Sequence, residues 1–153
     1  MTVRELRISY QPTEHRIDID GRRAITTADT AAAILRPLLE DEACEVFAVL
    51  LLNTKHRPIG VYIASRGTLD ATLIHPRDVF KAAVLANAAA VITAHNHPSG
   101  DPAPSPEDLA AWRRLDHAGS ILGIDTLDHL IISHDAPTFS ARAAGITGGH
   151  HAS

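Results

Sequence analysis

The chain reads as an α/β layered domain. Near-continuous apolar runs at 45–52 and 89–94 have the length of buried strands. Segments with helical apolar spacing and recognisable start signals fall between them, and that alternation predicts a sheet covered by helices. The 153 residues suit one domain, and with 45% apolar but only 4% aromatic residues the core must be aliphatic.

Each element has its own signal. Weak alternation at 3–9 and 15–19, with a turn at Asp20-Gly21, predicts an opening hairpin. Asp29 is placed to cap a helix over 30–40, with Ala32, Leu35 and Leu39 on one side and Pro37 near its end. A strand over 45–52, a turn at Asn53-Thr54-Lys55 and a strand over 59–64 follow, and Gly67 punctuates the next loop. Pro76 takes the first position of a helix over 77–88, striped by Val79, Phe80, Ala83, Val84 and Ala88. After the strand at 89–94 comes a polar loop, a helix over 106–118 and a last strand at 129–133. The boundaries follow: an N-terminal hairpin or extension over 1–27, the domain proper over 28–145, and a frayed Gly/His-rich tail over 146–153.

Composition excludes several classes. Fourteen basic against eighteen acidic residues give a net charge of −4, the wrong sign for a protein that lives on phosphate contacts. Cys44 is the only cysteine, so thiolate-rich zinc sites and intrachain disulfides are out and a reduced, cytoplasmic setting is expected. No apolar run suffices to span a bilayer, and no signal-peptide core opens the chain.

The chemistry concentrates in HNHPSGDPAPSPED, residues 95–108. His95 and His97, two apart where a buried strand ends, point to the same side, and Asn96 points to the other. Four prolines stiffen the loop that follows. It ends at Ser105, an N-cap, with Pro106 at N1 and Asp108 at N3. Folding the loop back brings His95, His97 and Asp108 together. Two imidazoles and a carboxylate suit one zinc ion per chain, with the fourth tetrahedral position left to water. Taken apart, each half has a plainer reading: His-x-His as surface groups, Ser-Pro-Glu-Asp as an ordinary helix start with acids near the positive end of the dipole.

The string H-x-H-P-x6-S-x2-D resembles the JAMM signature of MPN-type metallopeptidases. The surrounding text, VLLLNTKHRPIG (49–60), HPRDVFKAAVLANAAAVITAHNHPSGDPAPSPED (75–108) and LGIDTLDHLIIS (122–133), is closer still to the RadC family, over about residues 30–145. The resemblance implies a three-layer mixed sheet flanked by helices, similar in outline to zinc-dependent cytidine deaminases. It implies that His95, His97 and Asp108 bind zinc and that Ser105 helps to stabilise the reaction intermediate. It also implies a glutamate as general base just ahead of the first core strand. Glu45 fits that place, with Glu42 and Glu40 as neighbours to be told apart from it.

The expected activity is hydrolysis of a peptide or isopeptide bond by a zinc-activated water, on a peptide or protein substrate. Two rivals stand beside it. One is a repair-associated role on or near DNA, in keeping with the RadC name. Larger RadC-like proteins carry an N-terminal helix-hairpin-helix region, which is not expected within these residues, and that expectation weakens a carry-over of DNA binding. The densest basic clusters are the pairs Arg22-Arg23 and Arg113-Arg114. The other rival is a zinc-binding scaffold without activity, although such scaffolds usually lose ligands that are all present here. A deaminase needs H-x-E and P-C-x-x-C, which a single cysteine cannot supply. His129, inside LDHLII, is read as a packed strand residue or a support for the site. His150 and His151 are read as tail.

Overall fold

A computed structural model of the chain describes residues 3–12, 14, 20–67 and 74–147. Among these, helices α1 (Ala28–Leu39), α2 (Pro76–Leu85) and α3 (Pro106–Leu122) and strands β1 (Val46–Leu52), β2 (Pro58–Arg66), β3 (Ala90–Asn96), β4 (Asp125–Ile132) and β5 (Phe139–Ser140) form one mixed α/β domain. The sheet order is β2-β1-β3-β4-β5. Strands β3 and β4 are parallel, and α3 supplies the crossover such a pair requires. The other neighbours are antiparallel.

Every residue of β1 and of β3 is buried, because both faces of the sheet are covered. Ile34, Leu35 and Leu39 of α1 pack with Ala48, Leu50, Ile92 and Leu130. Val79, Phe80 and Ala83 of α2 and Leu115 of α3 pack with Phe47, Val49, Leu51 and Val91. Alternate residues of the same strands thus serve opposite layers. No helix among the described residues is long and apolar enough to cross a membrane.

Several boundaries differ from expectation. Thr27, not Asp29, caps α1: its Oγ1 accepts from the Thr30 amide at 3.2 Å, which leaves Asp29 in the first turn near the helix dipole. Helix α2 stops at Leu85 rather than 88. Asn87 takes a left-handed conformation (φ 53°), and the Ala88 amide donates back to Ala83, so the chain turns out of the helix early. Helix α3 runs past 118 to Leu122, passing through Gly119. A Cβ there would stand 2.5 Å from the Ile124 carbonyl oxygen, so glycine is what lets the helix lie this close to the start of β4. Strand β4 opens at Asp125, four residues ahead of the expected start, and the short β5 was not anticipated.

The hairpin expected at the N-terminus is not found in its first arm. Residues 3–12 form no strand and are exposed throughout, so no buried face rewards pairing there. Its second arm, 15–19, lies outside the described residues, as do 148–153 of the expected tail.

Candidate metal centre

The three expected ligands converge from two elements. His95 is the penultimate residue of β3, His97 lies just beyond that strand, and Asp108 is in the first turn of α3. Their ligand atoms all lie within 4.8 Å of one another. The Nε2 atoms of the histidines are 2.9 Å apart. Asp108 reaches both, with Oδ1 3.2 Å from His95 Nε2 and Oδ2 3.2 Å from His97 Nε2. Tetrahedral zinc, with bonds of about 2.0–2.1 Å, holds its ligand atoms about 3.3 Å apart. The donor set and its spacing fit that ion.

Local structure aims each ligand. His97 Nδ1–H donates to the Asp101 carbonyl at 2.7 Å, which leaves Nε2 with its lone pair toward the site. Asp101 is therefore a support through its backbone and not a ligand. Its carboxylate accepts from the Ala103 amide at 2.9 Å, within the turn that Gly100 (φ 86°) allows. His95 is buried, with its ring 6.0 Å from that of Phe47, its partner on β1, and only 6° from parallel. Ser105 and Asp108 form a reciprocal capping box. Ser105 Oγ accepts from the Asp108 amide at 3.1 Å, and Ser105 N–H donates to Asp108 Oδ2 at 2.8 Å. The cap thus also orients the carboxylate. Burial pushes the Asp108 carboxyl up, but hydrogen bonds from His95 and His97 outweigh it and hold the group well below the usual range. The Asp108 bond raises His97 in turn, against its own burial, and the charge of Glu45 adds to the effect.

Beside the three ligands is a cavity of about 410 Å³, with Glu45, Phe47, Ser65, His95, Asp108 and Trp112 among its walls. Glu45 therefore shares this cavity with two of the ligands. Among the described residues its carboxylate has no hydrogen-bond partner. Glu42 is engaged elsewhere, with its carboxylate 2.5 Å from the Arg66 guanidinium. Glu40 pairs with Arg36.

Reading the sequence missed Trp112 and the partners of His129, although His129 itself was expected as a packed strand residue or a support for the site. Trp112 stacks on His129 and also lies near His95. His129 is fully buried, hydrogen-bonded at Nε2 to Asp116 at 2.9 Å and at Nδ1 to the Thr93 hydroxyl. His75 sits at the N-cap of α2 without a side-chain cap bond. His150 and His151 lie outside the described residues.

The model of the RadC-like JAB domain matches residues 25–146. The chain belongs to the RadC family. Its relatives include a UPF0758 protein of Symbiobacterium thermophilum, 45% identical over 144 residues that cover 94% of this chain and 58% of that protein. A UPF0758 protein of Methanosarcina acetivorans is 43% identical over 113 residues, 74% of this chain and 49% of its own length. One from Staphylococcus aureus is 46% identical over 118 residues, 73% of this chain and 52% of its own. The chain spans about half the length of the curated relatives it matches. JAB domains include metallopeptidases, and the His95, His97 and Asp108 cluster of this RadC-family chain has the donor set to hold a metal ion.

Proposed function

We propose that this domain is a zinc-dependent hydrolase that cleaves an amide bond in a peptide or protein, of peptidase or isopeptidase type. One observation carries the reading: two imidazole nitrogens and a carboxylate converge beside a cavity walled by His95, Asp108 and Glu45, a glutamate whose carboxylate has no hydrogen-bond partner among the described residues. Zinc bound by His95, His97 and Asp108 supplies a water acidified toward neutral pH and an electrophile for the scissile carbonyl.

The remaining work falls to the chain's own groups. Glu45 accepts the proton of the attacking water and returns it to the departing amine, a task that suits a carboxylate in a partly enclosed cavity. The Ser105 hydroxyl accepts a hydrogen bond from the Asp108 amide, so its own proton remains available to the developing oxyanion. Phe47 and Trp112 form apolar walls that limit water beside the reacting bond.

The test is incubation of the zinc-loaded protein with a peptide library, with new amino termini read by mass spectrometry. Cleavage that disappears with chelator and in Glu45→Gln supports the proposal. Wild-type cleavage no greater than that of Glu45→Gln overturns it.

A further inference from the structure

Asn96 separates the two histidines of the site, and its side chain works on the opposite side of the sheet. It is only 2% exposed, and all its polar atoms are used. Oδ1 accepts from the Val46 amide at 2.6 Å. Nδ2 donates to the Cys44 carbonyl at 2.9 Å and to the Glu42 carbonyl at 3.2 Å. These partners bracket Glu45 on both sides. The Glu45 carbonyl itself accepts from the Gly67 amide at 2.8 Å, so the backbone around the glutamate is held from two directions.

The match is specific to the side chain. The segment presents one N–H and two carbonyls, and a primary amide offers one acceptor and two donors. A carboxylate has no proton for the two carbonyls, and an apolar side chain offers a partner to none of the three groups, of which the Val46 amide is buried. The same strand that carries His95 and His97 therefore grips the stretch that carries Glu45, through a residue that touches neither ligand in its own bonds.

We infer that Asn96 is a positioning residue, which sets the Glu45 backbone against the metal centre. What Glu45 does there rests on the hydrolase reading; the placement does not. Without the amide, residues 42–45 keep the Gly67 bond and the end of α1 but lose their tie to β3. The ligands stay, because the β1 and β4 ladders hold β3 on both edges. Displacement of a reacting group by about 1 Å is enough to cost about 10²-fold in rate.

The experiment uses full-length Asn96→Ala, with Asn96→Ser as a milder variant should the first fail to fold. Each is loaded with cobalt(II) and, separately, with zinc, and the difference gives amide pseudocontact shifts that report position relative to the metal. Shifts at residues 44–46 should move in the variants, while those of Val91, Leu115 and Ile131 keep wild-type values and cobalt binds as tightly as before. On a peptide that the wild type cleaves, kcat should fall about 10²-fold with KM little changed, and less in Asn96→Ser. Unchanged shifts at 44–46 overturn the inference, as does wild-type kcat in Asn96→Ala or a loss of cobalt binding equal to that of a ligand variant. A wild type that cleaves nothing sinks the hydrolase reading alone; the pseudocontact shifts still decide the placement.

Discussion

The indole of Trp112 lies flat on the imidazole of His129, with ring centroids 5.2 Å apart and planes 8° from parallel. The same indole is 6.3 Å from the ring of His95. Trp112 thus fills the space between His129, which is buried and bonded to the half-buried Asp116, and the buried ligand His95. Trp112→Ala should lower stability by about 3–5 kcal/mol, and metal affinity with it, because His95 loses a packing neighbour. Denaturant unfolding of the chelated protein checks the first part. A loss below about 1 kcal/mol would mean that the site collapses around the gap.

Metal content is the most direct prediction. The purified protein should hold one zinc per chain, and His95→Ala, His97→Ala and Asp108→Ala should each lose it, since two ligands do not close a site. Chelation should lower the melting temperature yet leave the chain folded. An aliphatic core of this size does not draw its folding free energy from a metal, as small zinc fingers do, and zinc stabilises by mass action on the native state. Full zinc content in a His95→Ala/His97→Ala double variant would refute the assignment.

Glu45→Gln should keep zinc and the fold while hydrolysis disappears, because an amide cannot carry the proton. Glu42→Gln is the control. It removes only a half-exposed ion pair with Arg66, worth about 0–1 kcal/mol, and should leave turnover near the wild-type level. The opposite ranking of the two variants would move the base to Glu42.

Ser105→Ala separates two roles of one hydroxyl. Loss of the cap should cost about 1 kcal/mol of stability. If the hydroxyl also serves the oxyanion, kcat should drop by about 10²–10³-fold. A stability loss with normal kcat would confine Ser105 to holding Asp108.

The pH profile should differ with and without metal. In the metal-free protein His97 is raised above its ordinary 6.5, so its stabilisation is present below that value and fades as pH rises through the folded pKa. Asp108 is depressed below 3.8, so its share is present above that value and is lost as pH falls through its folded pKa. Both act fully between the two values. Zinc needs His97 without its proton, so stabilisation by zinc should grow as pH rises through the same region. Melts with and without chelator at stepped pH should therefore slope in opposite directions above the weakly acidic range. Parallel slopes would show that His97 does not bind the metal.

Much of the centre was legible in the chain itself because it depends on local geometry. The two-residue period of a strand puts His95 and His97 on one side. The Ser105–Pro106 start puts Asp108 in the first helical turn, where the capping box then fixes its carboxylate. The buried runs that became β1 and β3 announced themselves by composition, and the alternation of strands with helices announced the layers. Helix ends were less readable, since Asn87 and Gly119 act through backbone contacts that no periodicity displays.

Other features belong to the tertiary structure alone. Glu45 reaches the cavity only because Phe47 pairs with His95 across two strands whose order in the sheet no local pattern specifies. Asn96 finds Val46 across 50 residues of sequence, and Thr93 finds His129 across 36. In the sequence these are single polar residues in apolar strands, with nothing to name their partners. Packing the strands side by side removes water from them, and a buried polar group must then bond whatever the sheet order and register set beside it.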